Sequence, residues 1–289
     1  MLSVMDTERL GDLYFELSNE NRLGILHRLR DTSMNVNRLA RDLEMTTQEC
    51  SRHMARLSEA ILVARNPEGA YSLTPYDRLS LNLIAGQSFV AENRDYFNAH
   101  SIDAHPRELV ARIVELGAGK TTGNAMVTFS IVENIMRDAK DYLVMIHDQY
   151  LPSILPLCVT ALKRGITMRS VELKAKPPGR SLDKIRPDYL SLEDEEYFIQ
   201  LWHEGRIHSF FSEEVHVFLY ANEAEAVIAF PLSEGGFDCL GLSSDDPGFH
   251  KYCVDIFEYY CERADPPDQE RMKKADVRLN QYKARKNDG

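Results

Sequence analysis

Apolar residues recur through the first third of the chain at the spacing of helices that pack on one side. Val36, Leu39, Ala40 and Leu43 fall at i, i+3, i+4 and i+7 and predict one helix. Glu44-Met45-Thr46 is a short connection, and Thr46 or Thr47 is placed to N-cap the next helix. Cys50, Met54, Leu57 and Ile61 form the inward stripe of this second helix. At about 100° per residue, Gln48, Arg52, Ala55 and Glu59 point the opposite way, with Ser51 and Arg56 beside them. Residues 61–65 then read as a strand, Asn66-Pro67-Glu68-Gly69 as a turn, and residues 70–73 as the returning strand.

This is the layout of a helix-turn-helix followed by a two-stranded wing. One face of the second helix packs, and the other offers Gln, Ser and Arg to base edges and phosphates. The predicted DNA contacts are Thr46, Thr47, Gln48, Ser51, Arg52 and Arg56, with Arg65 reaching from the wing toward the minor groove. Glu59 opposes phosphate and is expected at the far end of the helix. The plain alternative is a small helical packing unit that never touches DNA.

Helices flank this stretch. Residues 7–17 place Leu10, Leu13, Tyr14 and Leu17 at helical spacing. Residues 20–30 come next, with Leu23, Leu26 and Leu29 expected inward and Arg22, Arg28 and Arg30 outward. After the wing, Thr74-Pro75-Tyr76-Asp77 marks a helix start, with Thr at the N-cap, Pro at N1 and Asp at N3. That helix runs through Leu79, Leu83 and Ile84 toward Phe89, too apolar to stand alone, and is expected to connect the domains and pair with a second copy. Residues 93–106 read as the boundary.

Beyond it, residues 107–116 and 128–139 read as helices, 141–147 as a buried strand, 151–163 as a helix and 166–173 as a strand. This strand–helix–strand unit suits a parallel pair with a right-handed crossover. Residues 174–187 read as a mobile loop and 188–204 as a helix. Short strands are expected near 207–211, 215–220, 226–230 and 237–242, then a closing helix over 246–263. The expectation is an α/β chain of two domains: a winged helix-turn-helix in 1–92, an α/β domain with a mixed sheet in 105–264, and a charged tail in 265–289.

Composition narrows the function. Formal net charge is −11, which argues against sequence-independent coating of nucleic acid but not against a local basic face. No apolar run approaches the ~20 residues needed to span a bilayer. The opening MLSVMDTERLGD has no basic stretch leading into an apolar one, so a cytoplasmic protein is expected. Five scattered cysteines without a C-x-x-C pair point to reduced, buried thiols.

The winged-helix stretch resembles that of arsenical-resistance-repressor-type bacterial and archaeal regulators. The matching residues are Ser18-Asn19-Glu20-Asn21-Arg22-Leu23-Gly24-Ile25-Leu26, the helix-turn-helix itself, Leu57-Ser58-Glu59-Ala60 and Tyr71-Ser72-Leu73-Thr74-Pro75. Ile61 stands where that family usually has Gly, and the 36–44 helix lacks the Cys and His of its metal-sensing members. The order of later elements, including residues 141–147, 151–173, 226–230 and Asp246-Pro247-Gly248-Phe249, resembles archaeal two-domain regulators of the methanogenesis-regulatory family. Their second domain relates loosely to phospholipase-D-like effector domains. The resemblance implies a DNA-binding transcriptional regulator, a homodimer reading a pseudo-palindromic operator, with a sensor for a small-molecule effector.

Catalytic patterns are incomplete. The phospholipase-D-like H-x-K is broken at His147-Asp148-Gln149 and at His216-Val217-Phe218. Gly119-Lys120-Thr121-Thr122 imitates the end of a phosphate loop, but Val114 stands where its first Gly is needed. No metal or cofactor is expected, and the chain is not expected to be an enzyme. The rivals are a phosphodiester- or nucleotide-acting enzyme and a protein-binding winged-helix module. Ligands of open α/β sheets bind beyond the carboxyl ends of parallel strands. The expected effector set is therefore His147, Asp148, Tyr150, Arg169 and Glu172, walled by Trp202 and Phe210.

Overall fold

The computed structural model describes residues 4–148, 154–174 and 191–266, with isolated helical positions between 273 and 283. It divides into two compact units, 1–88 and 89–289.

The first unit contains α1 (Val4–Leu17), α2 (Glu20–Arg28), α3 (Val36–Asp42), α4 (Thr47–Glu59), β1 (Val63–Arg65), β2 (Tyr71–Leu73) and the start of α5 (Pro75–Glu92). Side-chain caps start the helices where the sequence offers them. Asn19 caps α2, Asn35 caps α3, and the Thr46 hydroxyl accepts from the Glu49 amide to cap α4. One core joins Ile25, Leu26, Leu29, Leu39, Cys50, Met54, Leu57, Leu62 and Leu73. β1 and β2 pair antiparallel, and Met34 bridges to Tyr71 as a third, isolated partner.

Two expectations about side-chain direction fail here. Ile61 is not part of the core stripe; it is 66% exposed with φ +61°, and Leu62 takes the inward place. The cause is the way α4 ends. The Leu62 amide bonds the Leu57 carbonyl and the Ile61 amide bonds the Ser58 carbonyl, a Schellman close whose middle residue must be left-handed. α3 closes in the same way through Glu44 at φ +54°. A left-handed backbone costs an L-residue roughly 1–2 kcal/mol, and β-branching does not help. Ile61→Gly is therefore expected to raise stability by about 1 kcal/mol, read from the urea midpoint at unchanged slope.

Arg22, expected outward, is the second exception. It is buried, and its guanidinium donates to backbone carbonyls at the end of α1.

The second unit is built on a seven-stranded mixed sheet. Its strands are β3 (Lys120–Thr121), β4 (Tyr142–His147), β5 (Thr167–Leu173), β6 (Ile207–Ser212), β7 (Phe218–Ala221), β8 (Ala226–Ala229) and β9 (Leu242–Ser244), in the order β3-β9-β8-β7-β4-β5-β6. β4, β5 and β6 run parallel; the remaining pairings are antiparallel. On one face lie α8 (Ala125–Asp138), α9 (Leu155–Lys163) and α10 (Leu192–His203), packed over Leu143, Met145, Met168, Ile207 and Phe218. The other face carries α11 (Pro247–Cys261) over Val144, Ile146, Val171, Leu219 and Ile228.

The helix expected over 107–116 is a short α7 (Arg107–Val110) followed by a 3-10 helix (Ile113–Ala118). β3 was not anticipated, and 237–241 is not a strand. Residues 93–106, expected as the boundary, hold α6 (Arg94–Ala99) and belong to the second unit, where Tyr96 and Phe97 pack near Phe230. The loop expected over 174–187 and the charged tail lie almost entirely outside the described residues. No helix among the described residues is long and apolar enough to cross a membrane. All five cysteines are buried and unbridged.

Candidate nucleic-acid interface

α4 presents the face that its sequence pattern promised. Cys50, Met54 and Leu57 are buried, while Thr46, Thr47, Gln48, Ser51, Arg52 and Ala55 are exposed. Among the described residues Arg52 forms no ion pair. The N-terminal end of α4 leaves amide hydrogens for an anion, and capping by Thr46 fixes its direction.

Arg56 has a different first partner. Its guanidinium forks onto Glu16 of α1, with Nη2 to Oε1 at 2.5 Å and Nε to Oε2 at 3.3 Å, and lies 5.1 Å from the Phe15 ring centre. Glu16 is shared. Arg22 Nε stands 2.9 Å from Glu16 Oε2 and donates to the Glu16 carbonyl at 2.8 Å, and Arg22 Nη2 donates to the Phe15 carbonyl at 2.6 Å. The side chains of Arg22 and Glu16 are 7% and 11% exposed, that of Arg56 46%. The hydrogen bond that it donates to Glu16 holds the Arg56 guanidinium above its ordinary pKa. His53, on the neighbouring flank of α4, is pushed toward its neutral form by burial and by the charge of Arg22.

The wing closes through Asn66, whose side chain accepts from the Ala70 amide. Arg65 is exposed and sits over the Tyr71 ring at 5.8 Å, so it stands at the base of the turn, aligned by an aromatic plane.

In the second unit the expected effector residues separate. His147 ends β4, and its Cα partner in the parallel register is Glu172 of β5. Both are buried, and Asp148 comes directly after His147. Ser170, two residues before Glu172 and so on the same face, donates to Glu172 at 3.1 Å and lies 3.2 Å from the Ser209 hydroxyl. The Tyr220 ring stacks on His147 with centres 5.9 Å apart. Ser170, Ser209 and Tyr220 were missed by sequence reasoning; the period-2 alternation of β5 points to Ser170 directly.

Arg169 and Phe210 face the opposite side of the sheet. Arg169 forks onto Glu258 of α11 at 2.6 and 2.8 Å, lies over the Phe257 ring at 4.9 Å, and does not pair with Glu172. Phe210 packs with the same opposite core. Trp202 is partly buried against the core under α10, and Tyr150 lies outside the described residues.

Residues 17–66 match a family described as a helix-turn-helix domain. No characterised protein matches the chain by sequence. Among solved structures the chain is similar to TrmBL2, described as an archaeal chromatin protein with a novel mode of DNA binding, at 13% identity over 88% of this chain and 96% of that one, TM-score 0.40. It is similar to the homodimeric winged helix-turn-helix DNA-binding domain of a possible ArsR-family regulator from Mycobacterium bovis, at 22% identity over 33% and 90%, TM-score 0.28. It is also similar to Nuc of Salmonella typhimurium, a phospholipase D family member, at 13% identity over 49% and 91%, TM-score 0.35. The chain is a winged helix-turn-helix protein with a second, α/β domain.

Proposed function

Taking that winged helix-turn-helix as the premise, we propose that the protein is a DNA-binding transcriptional regulator whose α4 enters the major groove. The observation that carries this is the exposed face of α4: Gln48, Ser51 and Arg52 stand clear of the core behind a capped N-terminus, inside the segment that matches the helix-turn-helix family. In this reading Thr46 and Thr47 meet phosphate, and Arg65 enters the minor groove.

The regulator acts as a homodimer in the cytoplasm. Leu10 and Tyr14 of α1 and Leu79 and Leu83 of α5 are large, apolar and 40–72% exposed. A second copy pairing there places two recognition helices on half-sites about one helical turn apart. The second domain senses a small molecule at the carboxyl ends of β4 and β5, where His147, Asp148 and Glu172 meet Ser170 and Tyr220. Effector binding shifts the population between arrangements that do and do not fit the operator.

The test is selection of bound fragments from random and genomic DNA by the purified protein at two salt concentrations. An enriched, roughly palindromic site is the expected result. Arg52→Ala is then expected to weaken binding of that site by about 1–3 kcal/mol without changing the melting temperature. A folded protein that enriches no sequence, with or without cell metabolite extract, points instead to a winged helix that binds protein.

A further inference from the structure

The Arg22–Glu16–Arg56 cluster joins the end of α1 to the first turn of α2 and the outer face of α4, and its members are unequally held. Arg22 is locked, because it is buried and has two backbone carbonyls besides the carboxylate. Glu16 is almost as buried and is neutralised by Arg22 whether or not Arg56 is present. Arg56 is the loose member: half exposed, and bonded to nothing but Glu16 among the described residues. On the wheel of α4 it sits about 40° from Arg52, on the same outward side. A guanidinium in that place can turn from α1 toward a phosphate without leaving a buried charge behind.

We propose that Glu16 and the DNA backbone compete for Arg56, so that Glu16 acts as a brake on DNA affinity. This rests on the reading of the first unit as a DNA binder. In the free protein Glu16 keeps Arg56 folded back over Phe15. On DNA the fork largely holds, so Arg56 stays on Glu16 and the phosphate within its reach goes without a partner. Glu16 is thus a positioning residue: it touches no DNA, yet sets how many phosphates the protein neutralises.

The experiment measures anisotropy of a labelled duplex carrying the selected site, across a salt series. The proteins are wild type, Glu16→Gln, Arg56→Ala, the double variant, and Asp12→Asn as a control for losing one negative charge on α1. Gln retains an oxygen for Arg22, whose carbonyl bonds also remain. Glu16→Gln is expected to bind about fivefold tighter than wild type, with a log–log salt slope steeper by about 0.9. Arg56→Ala alone is expected to change affinity less than about twofold, and the double variant to match it.

The brake is overturned if Glu16→Gln gains no more than Asp12→Asn, or if its gain survives in the double variant. It is equally overturned if Arg56→Ala alone loses about tenfold, since Arg56 would then already serve the DNA. Should Glu16→Gln not be folded at assay temperature, Arg56→Ala alone decides by the same criterion. A wild-type protein that binds no duplex at any salt removes the DNA reading and the brake together, whereas binding without coupling removes the brake alone.

Discussion

Arg22→Met is expected to destabilise the first unit by about 3–5 kcal/mol, the range for breaking a buried ion pair from one side. Two losses coincide. At the C-terminal end of α1 the Glu16 carbonyl loses the Arg22 donor, and the Phe15 carbonyl is left with the Ser18 hydroxyl alone. Glu16 keeps a single partner, Arg56, which is half exposed. The apolar stem of Arg22, packed where the side chain is 7% exposed, is replaced by a Met of similar volume, so little of the loss is cavity. Urea unfolding followed by circular dichroism is the measurement. The single tryptophan, Trp202, lies in the second unit, so fluorescence provides the internal control: its transition should not move. A loss under about 1 kcal/mol would mean that solvent replaces Arg22 and that the cluster is not structural.

The second large effect concerns Asp77. The Thr74 cap predicted at the start of α5 forms, but Asp77 does not return the bond. The Asp77 amide donates to the Thr74 hydroxyl at 3.1 Å, but the Thr74 amide donates to the Leu62 carbonyl and is not available to the Asp77 carboxylate. That carboxylate is fully buried, and neither of its oxygens has a hydrogen-bond partner among the described residues. Burial pushes its pKa from 3.8 to about 6, with Arg78 opposing weakly.

A carboxyl with a raised folded pKa favours the fold while protonated. Its contribution is complete below about pH 4 and is lost as pH rises through about 6. The gap corresponds to about 3 kcal/mol at neutral pH. Asp77→Asn, which cannot ionise, is expected to equal wild type at pH 4 and to exceed it by about 2–3 kcal/mol at pH 7.5. The variant–wild-type difference across that range isolates this group from the other titrating residues. A difference independent of pH would show that Asp77 finds a partner or solvent in solution.

The sequence announced the winged helix because its signals are local. Cap residues, 3.6-residue spacing and the Asn66–Gly69 turn each act within a few positions. It misplaced what depends on contacts across elements. Arg22 looks like a surface residue of α2 until the end of α1 folds against it. Ile61 fits the periodicity of α4, but the helix ends two residues earlier; the missing family Gly at that position was the signal that the backbone there turns left-handed. In the second unit, parity alone separates Arg169 from Glu172, since residues three apart on a strand face opposite sides. Grouping them by closeness in sequence ignored the sheet between them. Tyr220 reaches the same polar end from β7, a strand some fifty residues further on, and no spacing rule predicts that.

The burial of every thiol gives the molecule a pair of built-in reporters. Cys50 lies on the inward side of α4 and belongs to the first unit; Cys158, Cys239, Cys253 and Cys261 belong to the second. Alkylation of Cys50 requires the recognition helix to lift from its core, while alkylation of the other four requires the sheet domain to open. Peptide-resolved labelling rates therefore time the opening of the two units separately in one unmodified chain.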